Sequence, residues 1–80
     1  MPVLIESPIY QAQKANLSRA SRVVLRLVES DIAKDPSADI RRRETEEGTI
    51  VDESADDLLV EYRVIDDGVL LLRVYDLRSI

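Results

Sequence analysis

The chain has 80 residues, of which 45% are hydrophobic and 34% are charged, and its formal net charge at pH 7 is −5. A chain of this length is expected to form one compact domain over residues 1–80, because so small a core cannot be divided further. The sequence contains no cysteine and no histidine, which excludes disulfides, thiolate nucleophiles, zinc fingers and histidine-based acid–base catalysis.

No apolar run approaches the roughly 20 residues that a membrane-spanning helix needs, and the N-terminus lacks a signal-type segment. The sequence therefore predicts a cytoplasmic protein without membrane contact. Its charge is unevenly divided, since residues 1–43 carry eight Lys/Arg against five Asp/Glu and residues 44–80 carry three against eleven. The basic half could present a patch to nucleic acid or to an acidic partner, although the overall balance argues against high non-specific affinity for nucleic acid.

The first fifteen residues predict a short strand followed by a helix. Val3–Ile5 is rich in β-branched residues, as expected of a strand. Ser7 then supplies an N-cap hydroxyl, and Pro8 suits the first helical position because its missing N–H would have no helical partner there. We expect this first helix to run from about Pro8 to Ala15.

A longer amphipathic helix is predicted from Leu17 onward. Asn16 or Ser18 can cap its start, and Asp35 should end it because the residue before a proline is pushed out of the helical region. Apolar residues recur along it at the three- and four-residue spacing of a helix with one buried face: Leu17, Ala20, Val24, Leu27, Val28 and Ile32.

Three arginines form a stripe along one side of this second helix. Arg19, Arg22 and Arg26 are spaced at i, i+3 and i+7 and lie near Glu29. The stripe is either an ordinary solvated face or a contact surface for nucleic acid or a protein partner, and the sequence leaves both interpretations open.

Residues 34–57 are expected to form a connector with little regular structure apart from a short strand at Thr49–Val51. The run Arg41–Arg43 is followed by seven acidic residues and no basic one between 44 and 57. The triple arginine is either an exposed turn that pairs with its acidic neighbours or a phosphate-binding patch. The acidic residues lack the spacing and the glycine of a calcium loop, so we predict no metal site and no cofactor.

The C-terminal third predicts a β-hairpin. The β-rich runs Leu58–Ile65 and Val69–Tyr75 flank Asp66-Asp67-Gly68, a strong turn signal. A two-residue turn at Asp67-Gly68 would mix Leu and Arg on both faces, so a three-residue loop with Gly68 at a positive φ is favoured. That register sets Glu61 opposite Arg73 and places an apolar set on the other face: Val60, Tyr62, Val64, Leu70, Leu72 and Val74.

Taken in order, these elements resemble the bacterial RelE/ParE toxin superfamily over nearly the whole chain. The resemblance implies an α+β fold of order β-α-α-β-β-β, in which a short N-terminal strand and a two-helix hairpin precede a three-stranded antiparallel meander, forming one sheet covered by helices. The residues that carry it are Ser7-Pro8 after the opening strand, Leu17, Arg22 and Leu27 in a helix ending at Asp35-Pro36, and the runs Tyr62–Asp67 and Val69–Val74.

The resemblance implies the toxin of a type II toxin–antitoxin system, neutralised by an antitoxin whose segment wraps around it. RelE-like members cut messenger RNA on the ribosome, whereas ParE-like members poison DNA gyrase. In the RelE-like members, cationic side chains bind the scissile phosphate and help the ribose 2′-hydroxyl to attack. Positive charge suits this work because negative charge accumulates on the phosphate in the transition state.

Matching the family residue by residue gives the expected catalytic positions as Arg41, Arg43 and Arg78. The second strand and its loop depart from the family, because Val51-Asp52-Glu53-Ser54 carries acidic residues where an arginine is frequent, and Asp76 stands where many members have a histidine. Enzymatic activity is therefore uncertain, and the alternative is a non-catalytic interaction module with the same fold. The residues expected to bind RNA or a partner are Arg42, Arg19, Arg22, Arg26, Arg73 and Tyr75.

Overall fold

The structure, a computed structural model, describes residues 3–35, 42–46 and 48–79. The chain folds as an α+β protein in which two helices pack on a five-stranded mixed sheet of order β1-β5-β4-β3-β2. Strand β1 pairs parallel with β5, and every other neighbouring pair is antiparallel. The elements in chain order are β1 (Val3–Glu6), α1 (Pro8–Ala15), α2 (Arg19–Lys34), β2 (Arg42–Thr45), β3 (Gly48–Ala55), β4 (Leu58–Ile65), β5 (Gly68–Asp76) and a 3₁₀ turn at Leu77–Ser79.

The predicted three-stranded meander is wrong, because four antiparallel strands, β2 to β5, follow the helices. Strand β2 lies in the segment that we expected to be an irregular connector, and it pairs with β3 from Arg42 opposite Val51 to Thr45 opposite Gly48. The sequence of β2 is charged and contains no apolar run, so periodicity does not reveal it. An edge strand can form with such a sequence because backbone hydrogen bonds to one neighbouring strand hold it.

Strand β3 is also longer than the predicted Thr49–Val51, and it ends in a tight turn at Asp56-Asp57. Both turn residues have positive φ, 46° for Asp56 and 68° for Asp57. Two positive φ angles are what a two-residue type I′ hairpin requires, and Asp tolerates them better than most residues. The acidic residues of this segment therefore close a hairpin between β3 and β4.

The helix boundaries agree with the predictions. The Ser7 hydroxyl accepts a hydrogen bond from the Tyr10 N–H at 3.1 Å, and Pro8 occupies the first turn of α1, which ends at Ala15. Ser18 rather than Asn16 caps α2, accepting from the Ser21 N–H at 3.1 Å. Each hydroxyl satisfies a backbone donor that has no partner inside the helix.

One apolar cluster joins the helices to one face of the sheet, and α2 enters it through Leu25, Val28 and Ile32. The prediction that Leu27 belongs to the buried stripe is wrong, since 65% of Leu27 is exposed. Successive helical residues are turned by about 100°, so a face centred between Leu25 and Val28 leaves Leu27 outside. The sheet contributes Val51, Leu58, Val60, Tyr62, Val69, Leu71 and Val74 to the cluster.

The β4–β5 hairpin exists, but its predicted three-residue loop is wrong. Ile65 pairs with Gly68 across a two-residue loop, and the register shifts between Glu61 and Tyr62. The shorter loop sets Leu71 rather than Leu72 opposite Tyr62, so Leu71 faces the core, and Leu70 and Leu72 do not enter the cluster. The bulge then adds one residue to β5 and returns Val74 to the core face. The predicted pair of Glu61 with Arg73 is confirmed, and so are the buried positions of Val60, Tyr62 and Val74.

Three polar groups from the β1–α1 segment complete the edge of β5. The Ser7 N–H donates to the Leu71 carbonyl at 3.0 Å, and the Ser7 hydroxyl donates to the Leu72 carbonyl at 2.9 Å. The Gln13 side-chain oxygen accepts from the Val74 N–H at 2.8 Å. Helix α1 thus continues the pairing where β1 ends. No helix in the described ranges is long and apolar enough to cross a membrane.

Replacing Gly68 with alanine should destabilise the fold, because Gly68 has φ +153° and an added Cβ would lie 2.9 Å from the Val3 backbone nitrogen. We expect a loss of about 2 kcal/mol in the free energy of unfolding, measured by urea denaturation. Ser54→Ala, at an exposed position of β3, is the control and should change stability little. Equal stability of the two variants would contradict the close approach of β1 to Gly68.

Candidate functional site

The outward face of α2 carries an open groove of about 400 Å³, lined by Arg19, Arg22, Val23 and Arg26. The groove follows from the rotation of the helix: Leu25 and its buried neighbours point at the sheet, so residues on the other side of the helix face solvent. The predicted stripe of arginines is therefore one continuous surface. Val23, 56% exposed, was not predicted as part of it, although its spacing of four from Arg19 places both on one face.

The three arginines carry positive charge that no acidic residue in the described part of the chain pairs with. Within the described residues, Arg19, Arg22 and Arg26 form no ion pair and donate no side-chain hydrogen bond. Glu29, expected near the stripe, instead accepts a hydrogen bond from the Tyr10 hydroxyl at 2.6 Å and lies 3.4 Å from the Lys14 ammonium. The positive charge of the groove is therefore open to solvent or to an anionic group.

Arg78, by contrast, is surrounded by acidic and polar groups. Its guanidinium donates to the Ser21 hydroxyl at 3.0 Å and lies 3.4 Å from the Asp76 carboxylate and 3.8 Å from that of Asp57. A backbone hydrogen bond from Arg78, outweighing partial burial and assisted by the Arg78 charge, lowers the pKa of Asp76. With the carboxylates of Asp76 and Asp57 beside it, Arg78 is a weak site for a phosphate.

The other expected catalytic position that the structure describes, Arg43, lies far from Arg78. Arg41 is outside the described residues. Arg43 in β2 pairs with Ile50, which lies five residues before the end of β3. Asp76 lies level with that end of β3, two strands away on β5. Strand spacings of about 4.8 Å and rises of about 3.3 Å per residue separate the backbones of Arg43 and Arg78 by roughly 20 Å. The described structure does not bring these two positions together.

Arg73 and Tyr75 lie on the face of the sheet opposite the helices. Their side chains meet at Glu61, since the Arg73 guanidinium and the Tyr75 hydroxyl lie 3.4 and 3.5 Å from the same Glu61 oxygen. Glu61 is only 9% exposed, so Arg73 compensates an acid that the sheet partly buries. The residues expected to bind RNA or a partner are therefore split, with Arg73 and Tyr75 on this face, Arg19, Arg22 and Arg26 on α2, and Arg42 in edge strand β2.

A polar network that the sequence did not reveal fastens α1 to α2 and β1. Lys14 lies 2.9 Å from Glu6 and 3.4 Å from Glu29, which also accepts from Tyr10. Burial, together with the hydrogen bond to Glu29 and the negative charges of Glu29 and Glu6, raises the pKa of Tyr10 well above its ordinary range. Burial alone would lower the pKa of Lys14, but its bonds to Glu6 and Glu29 outweigh that effect and raise it. The network is a structural fastening, and its members come from three elements that no sequence motif links.

Comparisons with protein-family models, with curated proteins and with solved structures find no match for this chain. The resemblance to the RelE/ParE superfamily therefore stays a prediction from the sequence.

Tyr10→Phe should reduce the free energy of unfolding at pH 7 by about 1 to 2 kcal/mol, because it removes a buried hydrogen bond to a carboxylate. The raised pKa of Tyr10 also makes the stability depend on pH. Above pH 10 the tyrosine loses its proton in the unfolded chain before it does so in the folded protein, so the free energy of unfolding falls as pH rises. The variant should show a shallower alkaline decline, measured by thermal unfolding between pH 7 and 11. The decline that remains in the variant comes from Lys14, whose pKa is also raised in the folded protein.

Tyr75→Phe is the matched control at pH 7, since its hydroxyl makes only a 3.5 Å contact. It should keep nearly all of the wild-type stability. An alkaline decline of the same slope in wild type and Tyr10→Phe would show that the Tyr10–Glu29 bond does not form.

Proposed function

We propose that this chain is the toxin-like component of a bacterial type II toxin–antitoxin module and that it acts by binding rather than by cleaving RNA. The groove on α2 is the contact surface, and its occupant is an acidic segment of the cognate antitoxin. The observation that carries the proposal is the set of three arginines on one exposed helical face, none of which forms an ion pair among residues 3–35, 42–46 and 48–79. The suggestion of a toxin family comes from the order of motifs in the sequence.

The chemistry of the groove favours a protein segment over a nucleic acid. Val23 and Leu27, 56% and 65% exposed, stand beside the arginines. Burying aliphatic side chains against an apolar partner surface stabilises a complex, and a phosphate backbone offers no such surface. An amphipathic segment with carboxylates and a few apolar residues satisfies both parts of this surface. The net charge of −5 further disfavours a nucleic acid, which carries one negative charge on every nucleotide.

The candidate cleavage residues support a binding role. Arg43 and Arg78 are far apart along the sheet, and Arg78 already faces Asp57 and Asp76. A site that stabilises a scissile phosphate needs cations converging on one point, with their charge available to the substrate. A toxin of this kind works in the cytoplasm and blocks its target, the ribosome with its messenger RNA or DNA gyrase, by occupying a surface.

Arg26→Glu should weaken binding to the protein encoded by the adjacent reading frame at least tenfold, about 1.4 kcal/mol or more, because it reverses one charge in the groove. Titration calorimetry of the purified pair measures this. Arg63→Glu makes the same charge change on the sheet and should leave the affinity within about twofold. If no complex forms, or if Arg63→Glu weakens it as much as Arg26→Glu, α2 is not the contact surface.

Expression of the chain without its neighbour should arrest growth, and the triple variant Arg41→Ala, Arg43→Ala, Arg78→Ala should keep both the arrest and the complex. A cleaving enzyme would lose activity on removal of the cations around its phosphate. Arrest abolished in the triple variant, with the complex intact, would establish the nuclease alternative. The absence of arrest in wild type would reject toxicity itself.

A further inference from the structure

Strand β1 forms one edge of the sheet and exposes apolar side chains there. It pairs only with β5 among the described strands. Its side chains alternate, so that Leu4 packs against the core while Val3 and Ile5 point away from it and are 60% and 41% exposed. An exposed, apolar edge strand is a template for pairing with another strand.

The backbone of β1 offers a defined set of free groups on its outer side. The Ser7 N–H donates to the Leu71 carbonyl of β5, and peptide groups in a strand point alternately to its two sides. Ile5 and Val3 therefore also face β5, whereas the N–H and C=O groups of Leu4 and Glu6 face outward. An antiparallel partner strand forms hydrogen bonds with every second residue, and Leu4 and Glu6 have this spacing.

The two edges of the sheet are protected differently. Strand β2 at the far edge begins with the charged run Arg42-Arg43-Glu44, and charges of this kind discourage pairing between molecules. The single charged residue of β1 is Glu6, which already pairs with Lys14 at 2.9 Å. Edge β1 therefore lacks the charge that keeps edge β2 apart from other strands.

We infer that two copies of this chain associate through β1, in an antiparallel pair centred on Ile5. In an antiparallel pair, residues that face each other have side chains on the same side of the sheet. Side chains alternate along a strand, so in a symmetric pair two facing residues are both odd-numbered or both even-numbered. Centring on Ile5 sets Leu4 opposite Glu6 of the partner subunit, and the outward groups of both residues become mutual hydrogen-bond partners. Ile5 then meets its own equivalent, which covers the exposed aliphatic side chain on both copies.

A second copy fits this edge better than an unrelated strand, because the symmetry satisfies the same groups twice without placing like charges opposite each other. Glu6 faces an aliphatic residue, and its charge stays with Lys14. The buried area is that of one short strand, well below the roughly 800 Å² per partner of a standard interface. The dimer is thus weak, and it leaves the α2 groove open for the antitoxin.

Single-cysteine crosslinking tests the register, because the chain contains no native cysteine. Residues facing each other in a non-hydrogen-bonded antiparallel pair have Cα atoms about 4.5 Å apart, within disulfide range. Ile5→Cys should therefore form a covalent dimer under mild oxidation. Val3→Cys, at an even more exposed position of the same strand, lies roughly 13 Å from its equivalent in this register and should stay monomeric.

Sedimentation equilibrium from micromolar to about 1 mM protein tests the association itself, since weak interfaces need high concentration. The wild-type mass should rise from monomer toward dimer, and Ile5→Lys should remain monomeric with an unchanged circular dichroism spectrum. Leu27→Lys, exposed on α2, should associate like wild type. A monomeric wild type, association of Ile5→Lys equal to wild type, or crosslinking of Val3→Cys instead of Ile5→Cys would overturn the inference.

Discussion

The packing of α2 on the sheet is the constraint on which the other features depend. Leu25, Val28 and Ile32 are almost fully buried against the sheet, and burying each aliphatic side chain contributes about 1.5 to 3 kcal/mol. That stripe fixes the rotation of α2 about its axis. A rotation of one residue would bring Arg22 toward the sheet, where its charge would lose its hydration. The basic groove is therefore a consequence of core packing, and it persists as long as the core does.

A second set of contacts ties the C-terminal turn to α2 and the β1–α1 segment to β5. Ser21, fully buried near the start of α2, contacts both Asp76 and Arg78 from the end of the chain. Ser7 and Gln13 meanwhile complete the edge of β5. The contacts of Arg78 with Ser21, Asp57 and Asp76 thus hold the C-terminal turn in place.

Features with a local or periodic signal could be predicted from the sequence. The caps at Ser7 and Ser18 and the arginine stripe follow from residue spacing and cap chemistry. The pair of Glu61 with Arg73 was predicted from the wrong loop length and forms because the bulge offsets that difference. Strand β2 escaped prediction because an edge strand can be stable without an apolar pattern. The bulge beside Tyr62 escaped because it changes the phase of alternation in the middle of a hairpin.

The residues of the candidate site also divide into those with a local signal in the sequence and those without one. Arg19, Arg22 and Arg26 belong to one helix, so their common face could be predicted. The compensation of Arg78 by Asp57 and Asp76 and the engagement of Glu29 by Tyr10 depend on the meeting of distant elements, which a single sequence does not encode as spacing. Charge availability, rather than the presence of arginine, separates a contact surface from a structural bond.

The rotation of α2 can be measured directly with methyl nuclear Overhauser contacts in the isolated protein. We expect contacts from the methyl groups of Leu25, Val28 and Ile32 to those of the sheet core, while the methyl groups of Val23 and Leu27 show none. Contacts from Val23 or Leu27 to the sheet core would contradict this expectation, because the arginine groove would then face the protein interior.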